Sequence, residues 1–135
     1  DLLKALAESE GMIGLSLYPH HLLDGSNCSL ESFCTMIAKT AELIGNEHIG
    51  IGSDLCLDQP NSVVDWMRNG TWTKTKDFGE GSADNSSFPK QPDWFKDTSE
   101  FNNIEKGLKA VGFNDSEVSG ILGNNWFNFY KNFIN

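Results

Sequence analysis

The sequence contains no run of about 18 apolar residues, so no segment of it has the composition of a membrane-spanning helix. It has only 10 lysine and arginine residues against 19 aspartate and glutamate residues, which gives a formal net charge of -9 at pH 7. Nucleic-acid binding and adhesion to anionic membranes both depend on basic side chains. We therefore expect neither nucleic acid nor a membrane as a partner.

Cysteine is also scarce, with only Cys28, Cys34 and Cys56 and no CxxC pair among them. An odd number of cysteines and the absence of a signal peptide favour reduced thiols in a cytoplasmic protein. The sequence has no HExxH, no His-x-Asp and no cysteine cluster, so it predicts no metal ligand of its own. It also lacks a Walker loop, a complete dinucleotide fingerprint and a Gly-x-Ser-x-Gly elbow.

What is present is a strand–helix–strand pattern. Residues 12–18 and 48–53 are short and mostly apolar, which is typical of strands buried on both faces. Between them, apolar residues at helical spacing predict a helix over residues 30–44, with Ser29 as its N-cap and Gly45 at its end. The pattern predicts an α/β fold with parallel strands joined by a right-handed crossover.

Residues 55–98 lose this periodicity, apart from one possible helical turn at 63–68, and predict a long loop. Its aromatic residues, including Trp66, Trp72 and Trp94, favour an ordered loop and could either line a pocket or pin the loop down. Helical spacing returns after residue 99 and predicts helices over 101–111 and 115–122 and a terminal helix with an apolar stripe.

Two strands alone would leave both edges of a parallel sheet open. Each unpaired buried amide or carbonyl costs about 1–3 kcal/mol, whereas a whole domain is stable by only about 5–15 kcal/mol. We therefore expect further strands from upstream sequence, and we interpret Asp1-Leu2-Leu3-Lys4 as the interior of a longer chain.

Candidate functional residues lie where the two predicted strands end, because chemistry in parallel α/β folds gathers at the carboxyl ends of strands. Asp54 could accept a proton, bind an amine or ligate a metal, and a turn or helix-cap role is equally compatible with its position. His20 and His21 are adjacent, so an extended backbone would point them to opposite sides and at most one would face a pocket. His48, at the opposite end of its strand, is interpreted as structural.

Three further polar residues are interpreted as having no role in catalysis or binding. Cys56 lacks an evident base and is read as a small buried or loop thiol. Asp58 is read as a solvated loop acid. Arg68 could pair with a substrate carboxylate, but a surface position is the simpler reading.

Residues 47–54 read EHIGIGSD and residues 121–126 read ILGNNW. The first segment resembles the final-strand motif of the membrane (renal) dipeptidase family, metal-dependent hydrolases of the amidohydrolase type. The second resembles the family's closing Leu-Gly-Gly-Asn-(Trp/Phe) signature, with Asn125 matching the Asn. Residues 11–18 resemble the preceding strand, and the 55–98 loop resembles a bacterial branch with a long insertion.

The resemblance implies that residues 1–135 are the C-terminal segment of one (β/α)8 TIM-barrel domain, supplying its last two strands and closing helices. It implies hydrolysis of dipeptides at a two-zinc site whose ligands all lie upstream of Asp1. In the family, the Asp that matches Asp54 sits beside the metal centre and is implicated in proton transfer to the leaving amine. The upstream part of the same enzyme and a homodimer partner are expected, with a cytoplasmic location.

The resemblance also implies a substrate contact from the end of the preceding strand, often a Tyr in relatives. Here the matching region contains Tyr18, His20 and His21, with His21 nearest by count. This departure leaves the contact and the preferred substrate side chain open.

Two other functions remain open. One is a non-catalytic module that binds a peptide or small ligand through its aromatic loop, in which Trp72→Ala would matter more than Asp54→Ala. The other is a related barrel hydrolase with the same Asp but an amide or lactone substrate, and the sequence does not separate it from a dipeptidase.

Overall fold

The computed structural model describes residues 2–68 and 87–134. Within them, two strands and six α-helices alternate with short 3-10 turns. The strands are β1 (Ile13–Ser16) and β2 (Ile49–Gly52). The helices are α1 (Leu2–Glu8), α2 (Leu30–Ile44), α3 (Asn61–Arg68), α4 (Phe101–Ala110), α5 (Asp115–Ser119) and α6 (Asn125–Ile134). None of these helices is long and apolar enough to cross a lipid bilayer.

The two strands pair in parallel, as the sequence predicted, with Ile13 opposite Ile49 and Ser16 opposite Gly52. Both are shorter than predicted, because only four residues of each apolar segment face a partner strand. The α/β class is therefore confirmed, as a two-stranded sheet with surrounding helices.

Helix α2 connects the strands and forms one side of the core. The Ser29 hydroxyl accepts a hydrogen bond from the Ser32 amide at 3.0 Å, so the predicted N-cap is confirmed. Gly45 ends the helix with a φ of 87°, which a residue with a side chain rarely adopts. The buried face of α2 packs with both strands and α4 in a cluster that includes Leu17, Phe33, Ile37, Ile49, Ile104, Leu108 and Ile121.

The closing segment from α5 to α6 packs against β2 and α4. Asn114 and Glu117 form a capping box at the start of α5. The chain then bends at Gly123, where the backbone leaves helical geometry, and α6 begins. The Asn125 side chain donates to the carbonyls of Asn46 and Ile49, at 2.8 Å each, and so ties α6 to the start of β2.

The indole of Trp126 packs so closely against both strands that only glycine fits at Gly50. Its indole Nε1 donates to the Ile51 carbonyl at 3.1 Å. A Cβ on Gly50 would lie 2.6 Å from the indole Cδ1, and one on Gly14 would lie 3.2 Å from its Cζ2. The small residues therefore make room for a neighbouring side chain.

The segment predicted as a long loop is partly structured. Helix α3 occupies residues 61–68, longer than the single turn predicted there. Trp94 donates to the Cys28 carbonyl at 2.7 Å, and Phe95 is fully buried. These aromatic residues pin the segment to the core, whereas Trp66 is 63% exposed. Trp72, also assigned to this loop, lies outside the described residues.

Candidate functional site

The two strands end side by side, and this brings the predicted site residues to one edge of the sheet. Ser16 and Gly52 are register partners, so Tyr18 and Asp54 each follow the paired positions by two residues. Adjacent strands lie about 4.8 Å apart. The loops after β1 and β2 therefore begin next to each other, as expected for a site at the carboxyl ends of parallel strands.

The loop after β1 turns at once into a 3-10 turn, Pro19–His21, with the fixed φ of proline at its first position. The expectation that an extended backbone would point His20 and His21 to opposite sides is therefore wrong. Both imidazoles contact the ring of Tyr18, with centroid distances of 5.3 Å for His20 and 5.5 Å for His21. Both histidines are exposed and Tyr18 is half-buried.

His21 is held by a residue that the sequence did not single out. The Oγ atom of Ser16 lies 2.9 Å from Nδ1 of His21, and it also accepts a hydrogen bond from the Tyr18 amide at 3.1 Å. A serine at the last position of a strand, five residues before a histidine, was the only signal available in the sequence.

Asp54 lies in the loop after β2, and its side chain is exposed. Its φ is 50°, in the left-handed region that aspartate tolerates better than most residues. Asp58, four residues later, is also exposed and has a φ of 53°. The predicted catalytic roles of Asp54, and the substrate contacts of Tyr18, His20 and His21, stay predictions.

His48 makes a hydrogen bond to the backbone, and the three cysteines differ in burial. His48 ends the 3-10 turn just before β2, and its Nδ1 is 2.8 Å from the carbonyl oxygen of Gly11, which precedes β1. Cys56 is an exposed loop thiol. Burial raises the pKa of the Cys28 and Cys34 thiols, that of Cys34 to about 12, which makes both poor nucleophiles.

Among the described residues, a concave feature lies away from this edge. A groove of about 450 Å³ runs along α2 between Leu22, Met36 and Leu43, and neither Asp54 nor His21 lines it. Across residues 2–68 and 87–134, no three His, Cys, Asp or Glu side chains come together as a metal site would require.

A family model and a curated relative match this chain. A family model described as membrane dipeptidase, peptidase family M19, matches residues 1–68, which include both strands and the whole candidate site. The dipeptidase aclJ of Aspergillus oryzae is 39% identical over 56 residues, a match that covers 40% of this chain and 13% of that protein.

A solved structure shares the fold. The crystal structure of an amidohydrolase from Pseudomonas aeruginosa superposes with a TM-score of 0.74 over 93% of this chain and 37% of its own length, at 21% identity. At that identity the similarity establishes the fold alone. The chain spans 13% of the curated relative and 37% of the solved chain that it matches.

Proposed function

This chain belongs to the membrane dipeptidase family, peptidase family M19, and from that premise we propose that it is the C-terminal part of a metal-dependent dipeptidase with a (β/α)8 barrel. The family membership supports hydrolase activity of the whole protein, and the similarity to the solved structure supports the fold. Its parallel strands β1 and β2 would be the last two strands of the barrel, and residues 1–135 would belong to one domain.

The single observation that carries the proposal is the register of the two strands. It brings Asp54 and the Tyr18–His21 turn to one edge, on the segment that the dipeptidase model matches. In the proposal, a water molecule attacks the peptide carbonyl carbon, and the Asp54 carboxylate takes up the proton that this water releases. Asp54 then passes that proton to the amine nitrogen as the C–N bond breaks. Its exposed position leaves it open to a bound dipeptide.

His21, His20 and Tyr18 would contact the substrate from the neighbouring loop. The two imidazoles and the phenol form one group, since both imidazole rings pack on the Tyr18 ring. Such a group offers N–H and O–H donors to the oxygens of a dipeptide. The side-chain preference of the enzyme would depend on this turn.

The proposed cofactor is a pair of zinc ions. The described residues lack a cluster of three ligand side chains, so they do not fit a metal centre on their own. In the proposal, all zinc ligands therefore come from the upstream part of the same enzyme. The role of this chain is to supply Asp54 and the substrate contacts at the edge of that centre.

The homodimer and the cytoplasmic location are also proposals. The three cysteines are all unpaired, which supports a reducing compartment because disulfides are rare there.

The direct test is hydrolysis of a panel of dipeptides by the complete enzyme and by residues 1–135 alone, with metal content measured for both. We expect the complete enzyme to cleave dipeptides, to bind zinc and to lose activity on chelation. We expect the isolated segment neither to cleave dipeptides nor to bind zinc tightly. Tight zinc binding by residues 1–135 would contradict the proposed ligand assignment. Cleavage of amides or lactones in place of dipeptides would replace the substrate assignment.

A further inference from the structure

The hydrogen bonds around Ser16 constrain which nitrogen of His21 carries a proton. The Ser16 oxygen has two lone pairs and one hydrogen. One lone pair accepts the Tyr18 amide N–H at 3.1 Å. The hydroxyl hydrogen and the second lone pair remain for Nδ1 of His21, which lies 2.9 Å away.

This arrangement suits both charge states of the imidazole. When His21 is neutral, the Ser16 hydroxyl can donate its hydrogen to Nδ1, and the ring proton then sits on Nε2. In the other neutral tautomer, Nδ1–H would donate to the second lone pair of Ser16 and the hydroxyl hydrogen would turn to solvent. When His21 is protonated, Nδ1 donates to the second lone pair of Ser16, and Nε2 again carries a proton. Ser16 can therefore keep an N–H at Nε2 in either state.

Neighbouring groups fix the position of this pair. The Tyr18 amide anchors the Ser16 oxygen, and the Tyr18 ring packs edge-on against His21 at 5.5 Å. Ser16 is the last paired residue of β1, so its backbone is held by the sheet. Within the described part of the chain, Nδ1 is the His21 atom engaged by a hydrogen bond, and the ring is exposed.

We propose that Ser16 is a positioning residue that holds His21 as a permanent Nε2–H donor for an oxygen anion of the ligand. In the dipeptidase, on whose proposed function this step rests, that anion is the C-terminal carboxylate of the substrate. A donor at this point matches a carboxylate, which only accepts hydrogen bonds. Ser16 acts through His21 and does not touch the substrate.

The first test reads the protonation of the ring directly and does not require activity. The complete enzyme is labelled with ¹⁵N-histidine, and the His21 signals are assigned by their loss in His21→Gln. At a pH where the ring is neutral, couplings from the ring C–H protons report which nitrogen is protonated. We expect Nε2–H alone in the wild type and in Ser16→Thr, and shifts averaged between the two tautomers in Ser16→Ala.

The second test separates binding from chemistry. Ser16→Ala should raise KM for a dipeptide roughly threefold to tenfold, the range of one lost hydrogen bond, and leave kcat within about twofold. Ser16→Thr should restore KM. The effect should shrink for the same dipeptide with a C-terminal amide, which lacks the carboxylate. Ser116→Ala, an exposed serine on α5, is the matched control and should change neither constant.

Two results would overturn the inference. One is a His21 tautomer that is unchanged in Ser16→Ala, and the other is an equal rise in KM for the acid and the amide. If the wild-type enzyme cleaves no dipeptide, the proposed function fails, and the tautomer measurement still decides the role of Ser16.

Discussion

Replacing Gly50 by alanine should destabilise the protein, although glycine in a strand is ordinarily a weak point. A Cβ at this position would collide with the indole of Trp126, whose Cδ1 would be only 2.6 Å away. The indole must then move, and its hydrogen bond to the Ile51 carbonyl, 3.1 Å long, is lost or bent. The substitution therefore disturbs the packing of α6 against both strands.

The magnitude follows from two destabilising terms and one stabilising term. Overpacking costs about 1–3 kcal/mol, and the indole hydrogen bond contributes about 1 kcal/mol. Removing glycine from the unfolded chain returns about 0.4–1 kcal/mol. We expect the packing terms to win, with a net loss of about 1–3 kcal/mol in the free energy of unfolding, measured by urea denaturation.

Two further variants make the reasoning testable. In Gly123→Ala, a new Cβ would meet nothing within 4 Å, so the same substitution should have little effect there. In the double variant Gly50→Ala with Trp126→Leu, the smaller side chain leaves room for the Cβ, and the loss should be less than the sum of the single losses. A Gly50→Ala protein as stable as the wild type, or strictly additive effects, would refute the account.

Two other predictions concern the core and the closing helix. At pH 8, iodoacetamide should modify exposed Cys56 well before Cys34, because burial raises the pKa of Cys34 to about 12 and keeps it in the thiol form. Peptide mass spectrometry measures the order of labelling, and earlier labelling of Cys34 would contradict the prediction. Asn125→Ala should lower the free energy of unfolding by about 1–3 kcal/mol, since it removes two 2.8 Å hydrogen bonds to backbone carbonyls. Exposed Asn128→Ala is its control, and equal stability of the two variants would show that the contact is not needed.

Features encoded by neighbouring residues were predictable from the sequence. The N-cap at Ser29 and the capping box of Asn114 and Glu117 depend on contacts three residues apart. The parallel pairing of the strands followed from their apolar composition and the helix between them. The edge at which Asp54 and His21 lie followed in turn from that topology.

Contacts between distant residues were not predictable in the same way. Trp126 and the carbonyl of Ile51 are 75 residues apart, and Trp94 and Cys28 are 66 apart, so no local period encodes either contact. The Ser16–His21 pair was missed for another reason. Proline at position 19 starts a 3-10 turn, which brings His21 back toward the strand where an extended chain would carry it away.

The most direct measurement compares two matched variants of the complete enzyme, Asp54→Asn and Asp58→Asn. Both aspartates are exposed and have nearly the same φ, 50° and 53°, so the substitutions impose the same backbone demand and remove the same charge. If Asp54 transfers the proton, Asp54→Asn should lower kcat for a dipeptide by about 100-fold or more with zinc content unchanged. Asp58→Asn should stay within about twofold. Near-normal turnover by Asp54→Asn, or an equal loss in both variants, would contradict the role assigned to this edge of the sheet.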